Sequence, residues 1–128
     1  MSKRSKGISS YGQQLEHDVA SVKSATDLIA MLFDKACVLL KAASQALESR
    51  DEQLFHQSAL HALQIVLSLR FVLDTDGGSD LSKSLFETYT SIAASLKKAK
   101  DEQDRDAIAT IYKAMDELRT AWRSVADP

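Results

Sequence analysis

Between Val19 and Asp127 the chain has no proline, and its only glycines there are the neighbours Gly77 and Gly78. Proline removes a backbone donor and glycine adds backbone freedom, so each interrupts a helix. A long stretch with a single such interruption has little choice but to be helical. Its β-branched and aromatic residues do not gather into alternating runs, which argues against strands. An all-α fold is therefore expected. The length of 128 residues suits one domain, and a hydrophobic fraction of 45% supplies a core.

The apolar spacing divides the chain into four helices. The first starts at Ser24, where S-A-T-D sets a serine cap before an acidic residue at the third helical position. It runs to about Ser49, with Leu28, Leu32, Ala36, Leu39, Ala43 and Leu47 in one stripe widened by Ile29, Phe33, Cys37 and Leu40. The second runs from about Asp51 to Leu73 and ends at D-T-D-G-G. The third, about Asp80 to Lys100, carries Leu81, Leu85, Tyr89, Ile92, Leu96 and Ala99. In K-K-A-K-D-E-Q-D the lysines suit the negative end of that helix, and the acids suit the positive start of the next. The fourth, about Arg105 to Val125, repeats Ile108, Ile111, Met115, Leu118, Trp122 and Val125 at spacings of three and four. Connections this short make neighbouring helices antiparallel, and the expected architecture is an antiparallel four-helix bundle over 24–126. Residues 1–23 form a leader that caps it.

Charge and motifs narrow the function. The net charge is −2 with both signs interspersed, so neither a nucleic-acid nor a membrane partner is indicated. The basic start M-S-K-R-S-K-G has no apolar run behind it, so no secretory signal is expected, and no stretch has membrane-spanning length. The one cysteine, Cys37, has no partner for an internal disulfide, which fits a reducing cytoplasm. A di-metal bundle needs a Glu-x-x-His motif, which is absent. His56 and His61, five apart, point about 140° away from each other on a helix. His61 in S-A-L-H-A-L-Q lacks the neighbours of a phosphoaccepting histidine. Gly77-Gly78 lacks the spacing of a phosphate loop. Neither a catalytic function nor a cofactor is expected.

Apolar residues beyond one stripe are the positive signal. From Ala59 to Leu73 the sequence is A-L-H-A-L-Q-I-V-L-S-L-R-F-V-L, with only His61, Gln64, Ser68 and Arg70 polar. A bundle helix needs an apolar stripe over part of its circumference. This one is either unusually central or carries a docking groove. In the leader, Tyr11, Leu15, Val19 and Val22 make a thin stripe at spacings of four, four and three, weakened by Gly12. A short helix of that kind is marginal alone. It is either a frayed tail or a lid that docks by those four side chains and leaves at small cost.

In order and spacing, these motifs resemble the flagellin-specific export chaperones of the FliS family. The family's Tyr-x-Gln is matched by Tyr11-Gly12-Gln13, and its Leu-x-x-Met-Leu-Tyr/Phe-Asp by L-I-A-M-L-F-D, Leu28 to Asp34. H-A-L-Q-I-V-L-S-L-R-F-V-L-D, His61 to Asp74, is similar to the second-helix motif, followed by the Gly-Gly turn. Arg-x-Ala-Trp near the end is Arg119 to Trp122. Two positions depart: Leu-Tyr-x-Tyr is replaced by Thr88-Tyr89-Thr90-Ser91, leaving Thr88 and Ser91 in place of an apolar pair, and the proline after the serine cap is Ala25.

The resemblance implies a chaperone in the bacterial cytosol. It would bind the disordered C-terminal segment of flagellin helix-in-groove, prevent premature polymerisation and deliver the client to an export gate component. The remaining alternative is a bundle adaptor or anti-assembly factor for another secreted helical protein. A second copy of the chain is the other partner such a surface admits. The expected groove is Leu63, Val66, Leu67 and Phe71 with Leu85, Tyr89 and Ile92. Heptad spacing gives Leu63, Leu85, Tyr89 and Ile92 a core reading as well, whereas Leu67 and Phe71 fall where the family motif leaves positions free.

Overall fold

The computed structural model describes residues 24–75 and 80–126, the side chains of 73–75, 81, 82, 125 and 126 apart. It contains four helices: α1 (Ala25–Glu48), α2 (Glu52–Thr75), α3 (Asp80–Glu102) and α4 (Arg105–Ala126). The start of α1 is set by the serine cap. Ser24 is extended at φ −153, ψ 165, and its Oγ accepts the Asp27 N–H at 3.1 Å. Such a cap is worth about 1 kcal/mol.

Two turns, α1–α2 and α3–α4, use the same chemistry. Arg50 and Gln103 take the left-handed backbone, φ 60 and 52. Arg50 N–H donates to Leu47 O at 3.2 Å and Asp51 N–H to Ala46 O at 2.9 Å. Gln103 N–H donates to Lys100 O at 3.3 Å and Asp104 N–H to Ala99 O at 3.0 Å. Both sets close a Schellman motif, which satisfies carbonyls left over at a helix end. The next residue then starts the following helix: Asp51 Oδ1 accepts Leu54 N–H at 3.0 Å, and Asp104 Oδ1 accepts Ala107 N–H at 3.1 Å. Neither turn uses glycine.

The α3–α4 boundary lies two residues later than the charge pattern indicates. Asp101 belongs to the last turn of α3, not to the start of α4. Lys97 Nζ reaches it at 2.9 Å and Lys100 Nζ at 3.1 Å. These lysines hold the Asp101 carboxyl below its ordinary pKa. Of the three acids in that run only Asp104 serves α4.

Each helix packs on its sequence neighbours, and α1 with α4 closes the ring. The diagonal pairs stay apart at the backbone. Large side chains fill the centre: Phe33 of α1 meets Tyr89 of α3 edge-on, with ring centroids 5.8 Å apart at 63°. Leu40, Phe55, Leu69, Leu96, Ile108 and Met115 are fully buried around them. This is the expected all-α four-helix bundle.

The α1–α4 seam is polar as well as apolar. Asp34 Oδ1 accepts from Arg119 at 3.4 Å, and both its oxygens accept from Arg123 at 2.9 and 3.1 Å. Arg119 also holds Asp116. Trp122 Nε1 donates to Thr26 O at 3.4 Å near one end of the seam, and Arg105 pairs with Glu48 at the other. The L-I-A-M-L-F-D and Arg-x-Ala-Trp motifs thus meet across one helix interface.

Candidate functional site

The α2 helix has two apolar faces because its sequence carries two stripes. Phe55, Ala59, Ala62, Ile65, Val66 and Leu69 are buried against the bundle. Leu60, Leu67 and Phe71 are spaced by seven and four residues, which puts them within about 40° of one direction on a helix, opposite the buried face. They are 44%, 42% and 68% exposed. The near-continuous apolar run therefore does not mean a central helix. Its second stripe stands in water as a crest.

A groove flanks the crest on each side. Towards α1 lies a cavity of about 400 Å³, lined by Leu28 and Leu32 of α1 and by Ile65, Leu67, Ser68, Phe71 and Val72 of α2. Ser68 does not make it polar, because its hydroxyl donates to Gln64 O at 2.9 Å within the helix. Towards α3 lies a smaller depression of about 270 Å³, lined by Leu67, Arg70, Phe71 and Phe86. The Arg70 guanidinium lies over the Phe86 ring, 4.8 Å from its centroid. Leu67 and Phe71 wall both depressions.

The residues expected at a groove separate into three groups. Leu67 and Phe71 stand on the crest. Leu63 and Leu85 are partly buried and pack against the core. Val66, Tyr89 and Ile92 lie in the core, at 0%, 0% and 8% exposure, rather than on a groove wall. One residue along a helix turns a side chain by about 100°, which carries Val66 away from its neighbour Leu67 and into the bundle. Tyr89 and Ile92 continue the inward stripe of α3. Tyr11, Leu15, Val19 and Val22 lie outside the described residues.

Sequence reasoning missed several wall residues. In the sequence Leu28 and Leu32 belong to the α1 stripe and Ile65 and Val72 to the apolar run of α2, and periodicity does not tell which edge of a stripe borders a groove. Phe86 and Arg70 carry a weak signal, an aromatic and a cation that are neighbours only across two helices.

The titratable groups offer little chemistry. Burial raises the Cys37 thiol pKa and lowers that of His61. It pushes the Tyr89 phenol well above its ordinary 10.0. Tyr89 Oη makes no hydrogen bond among the described residues. Among them no group of three or more His, Cys, Asp or Glu could hold a metal, and no helix is long and apolar enough to cross a membrane.

Comparison with known proteins gives a consistent result. The family model described as flagellar protein FliS matches residues 7–128. The flagellar secretion chaperone FliS of Salmonella typhimurium (strain LT2) is 27% identical over 121 residues, spanning 94% of this chain and 90% of that protein. The protein of the same name from Escherichia coli (strain K12) is 26% identical over 119 residues, spanning 92% and 88%.

Proposed function

The chain belongs to the FliS family of flagellar proteins, and from that premise we propose that it is a flagellar secretion chaperone whose α2 crest receives a helical segment of flagellin. The observation that carries this reading is the exposure of Leu67 and Phe71 between two depressions, the one towards α1 being almost wholly apolar. A solvated phenylalanine does nothing for the isolated fold, whereas an amphipathic helix laid along the crest would cover it.

The client segment is the C-terminal part of flagellin, disordered before assembly and helical in the filament. Binding in the groove sequesters the apolar face that would otherwise polymerise in the bacterial cytosol, until the client passes to an export gate component. Coupled folding of this kind typically buries ~1,000–3,000 Å² and spends roughly 2–5 kcal/mol on ordering the peptide. No catalytic step or cofactor belongs to this function.

Residues 1–23 act as a lid over the bundle of 24–126, through Tyr11, Leu15, Val19 and Val22. Deleting residues 1–18, or Tyr11→Ala, should raise apolar dye binding while helicity is retained; unchanged dye binding would remove the lid from the mechanism.

One observation favours a client other than the usual flagellin. Thr88 and Ser91 are exposed on α3 where the family pattern has apolar residues, so the surface that α3 offers a client is more polar. The deciding measurement is calorimetry with a synthetic C-terminal segment of the flagellin encoded in the same genome. Binding heat and protection of the peptide from proteolysis are expected. Neither heat nor protection would sink the flagellin assignment and leave an adaptor for another secreted helical protein.

A further inference from the structure

Arg70 is placed unlike the arginines of the α1–α4 seam. Arg105, Arg119 and Arg123 each hold a carboxylate. Arg70 instead lies over Phe86, and its Nε is buried without a hydrogen-bond partner among the described residues. A charged donor left in that state is costly and is normally matched by an acceptor. The guanidinium borders the same depression as Leu67 and Phe71. A cationic donor therefore sits beside two exposed apolar side chains of the crest.

We propose that Arg70 is a specificity-determining residue that reads a carboxylate: the helix received by the crest carries an aspartate or glutamate about one turn from the apolar side chains it sets on Leu67 and Phe71. This rests on the chaperone reading and deepens it by stating what the client must present. Contact with Phe86 pre-orients the guanidinium, so less side-chain freedom is lost when a carboxylate binds. The two terminal nitrogens of the guanidinium, beyond the buried Nε, offer the paired N–H donors that a carboxylate accepts bidentately. Apolar neighbours exclude water and strengthen that bond. The same features reject other helices. An uncharged residue would cover the cation without pairing it, and a lysine would repel it. The crest supplies adhesion to any apolar face, and Arg70 supplies choice among them.

The test is a double-mutant cycle by calorimetry. The probe is the synthetic C-terminal segment of the cognate flagellin, with each of its acidic residues replaced in turn by the amide. Arg70→Gln should weaken binding roughly tenfold, in the range expected for one charge-assisted hydrogen bond. One of the amide peptides should bind wild type equally weakly yet cost Arg70→Gln almost nothing further. Arg70→Met, which keeps an apolar stem over Phe86, should repeat the loss, and both variants should show a flatter salt dependence than wild type. Equal affinity of wild type and both variants for the parent peptide, or the same cost of every amide substitution in wild type and variants, overturns the proposal. Phe71→Ala separates the two levels. If it abolishes binding while the Arg70 variants bind normally, only the carboxylate subsite falls. If wild type does not bind the segment, the flagellin assignment falls with it.

Discussion

Phe71 and Tyr89 show how differently one residue type class can be used. Phe71 is 68% exposed, so it contributes little to the fold, and Phe71→Ala should change unfolding free energy by less than about 0.5 kcal/mol in a urea titration. On the client side the same substitution should cost about 2 kcal/mol or more, as for a central aromatic anchor. A stability loss comparable to the affinity loss would mean that Phe71 is structural. Tyr89 is the reverse case, fully buried with a hydroxyl that has no partner among the described residues. Tyr89→Phe removes an unpaired polar group and should stabilise the protein by about 1 kcal/mol. The phenol's pKa is raised by burial, so the folded state holds its proton where the unfolded chain, near 10.0, begins to release it. Wild-type stability should therefore be intact below that pH and fall as pH rises above it, more steeply than in Tyr89→Phe. Parallel stability profiles of the two proteins above pH 10 would contradict this.

Among the elements, the two Schellman turns are the clearest sites for intervention. Arg50 and Gln103 hold a left-handed backbone that side chains with a Cβ resist. Arg50→Gly and Gln103→Gly should each raise the unfolding free energy by roughly 0.5–1 kcal/mol. Asp51→Ala and Asp104→Ala should each lower it by about 1 kcal/mol, because each removes the acceptor of an N-terminal helix N–H. Thermal melts of the four variants check both signs. The caps and periods were readable in advance: Ser24 starts α1, and the inward stripes of α1 and α4 follow the spacing of three and four. The run K-K-A-K-D-E-Q-D was not parsed correctly, because a helix dipole argues only for acids near a start. Asp101 instead pairs with Lys97 one turn back and with its neighbour Lys100, inside α3.

For the whole molecule, the closing interface is α1 against α4, the first described helix against the last. Asp34 is its charged centre, facing two arginines. The pairs are partly exposed, so Asp34→Asn should cost only about 1 kcal/mol, and the cost should shrink in high salt. A loss of several kcal/mol independent of salt would mean that the seam behaves as a buried ion pair. This seam also explains why two family-like motifs at opposite ends of the sequence belong together: Asp34 from one and Arg119 from the other are in contact. Since the crest lies on α2, on another side of the ring, loosening the seam should leave peptide affinity unchanged in conditions where the bundle stays folded.

Local chemistry was enough to give the helices, their order and the antiparallel bundle, because caps and periodicity act over a few residues and, the end of α3 apart, were legible in the chain; Gly77 and Gly78 lie outside the described residues. Periodicity also revealed that α2 has more apolar surface than one interface requires. It could not say which part of that surface stays wet. A spacing of three or four places residues relative to one another on a helix, but burial depends on which sides neighbouring helices occupy. In this ring α2 is flanked by α1 and α3, its inner stripe takes Val66 into the core, and the opposite stripe leaves Leu67 and Phe71 in solvent. Tyr89 and Ile92 went inward for the same reason, and Arg70 met Phe86 only because packing set α2 beside α3.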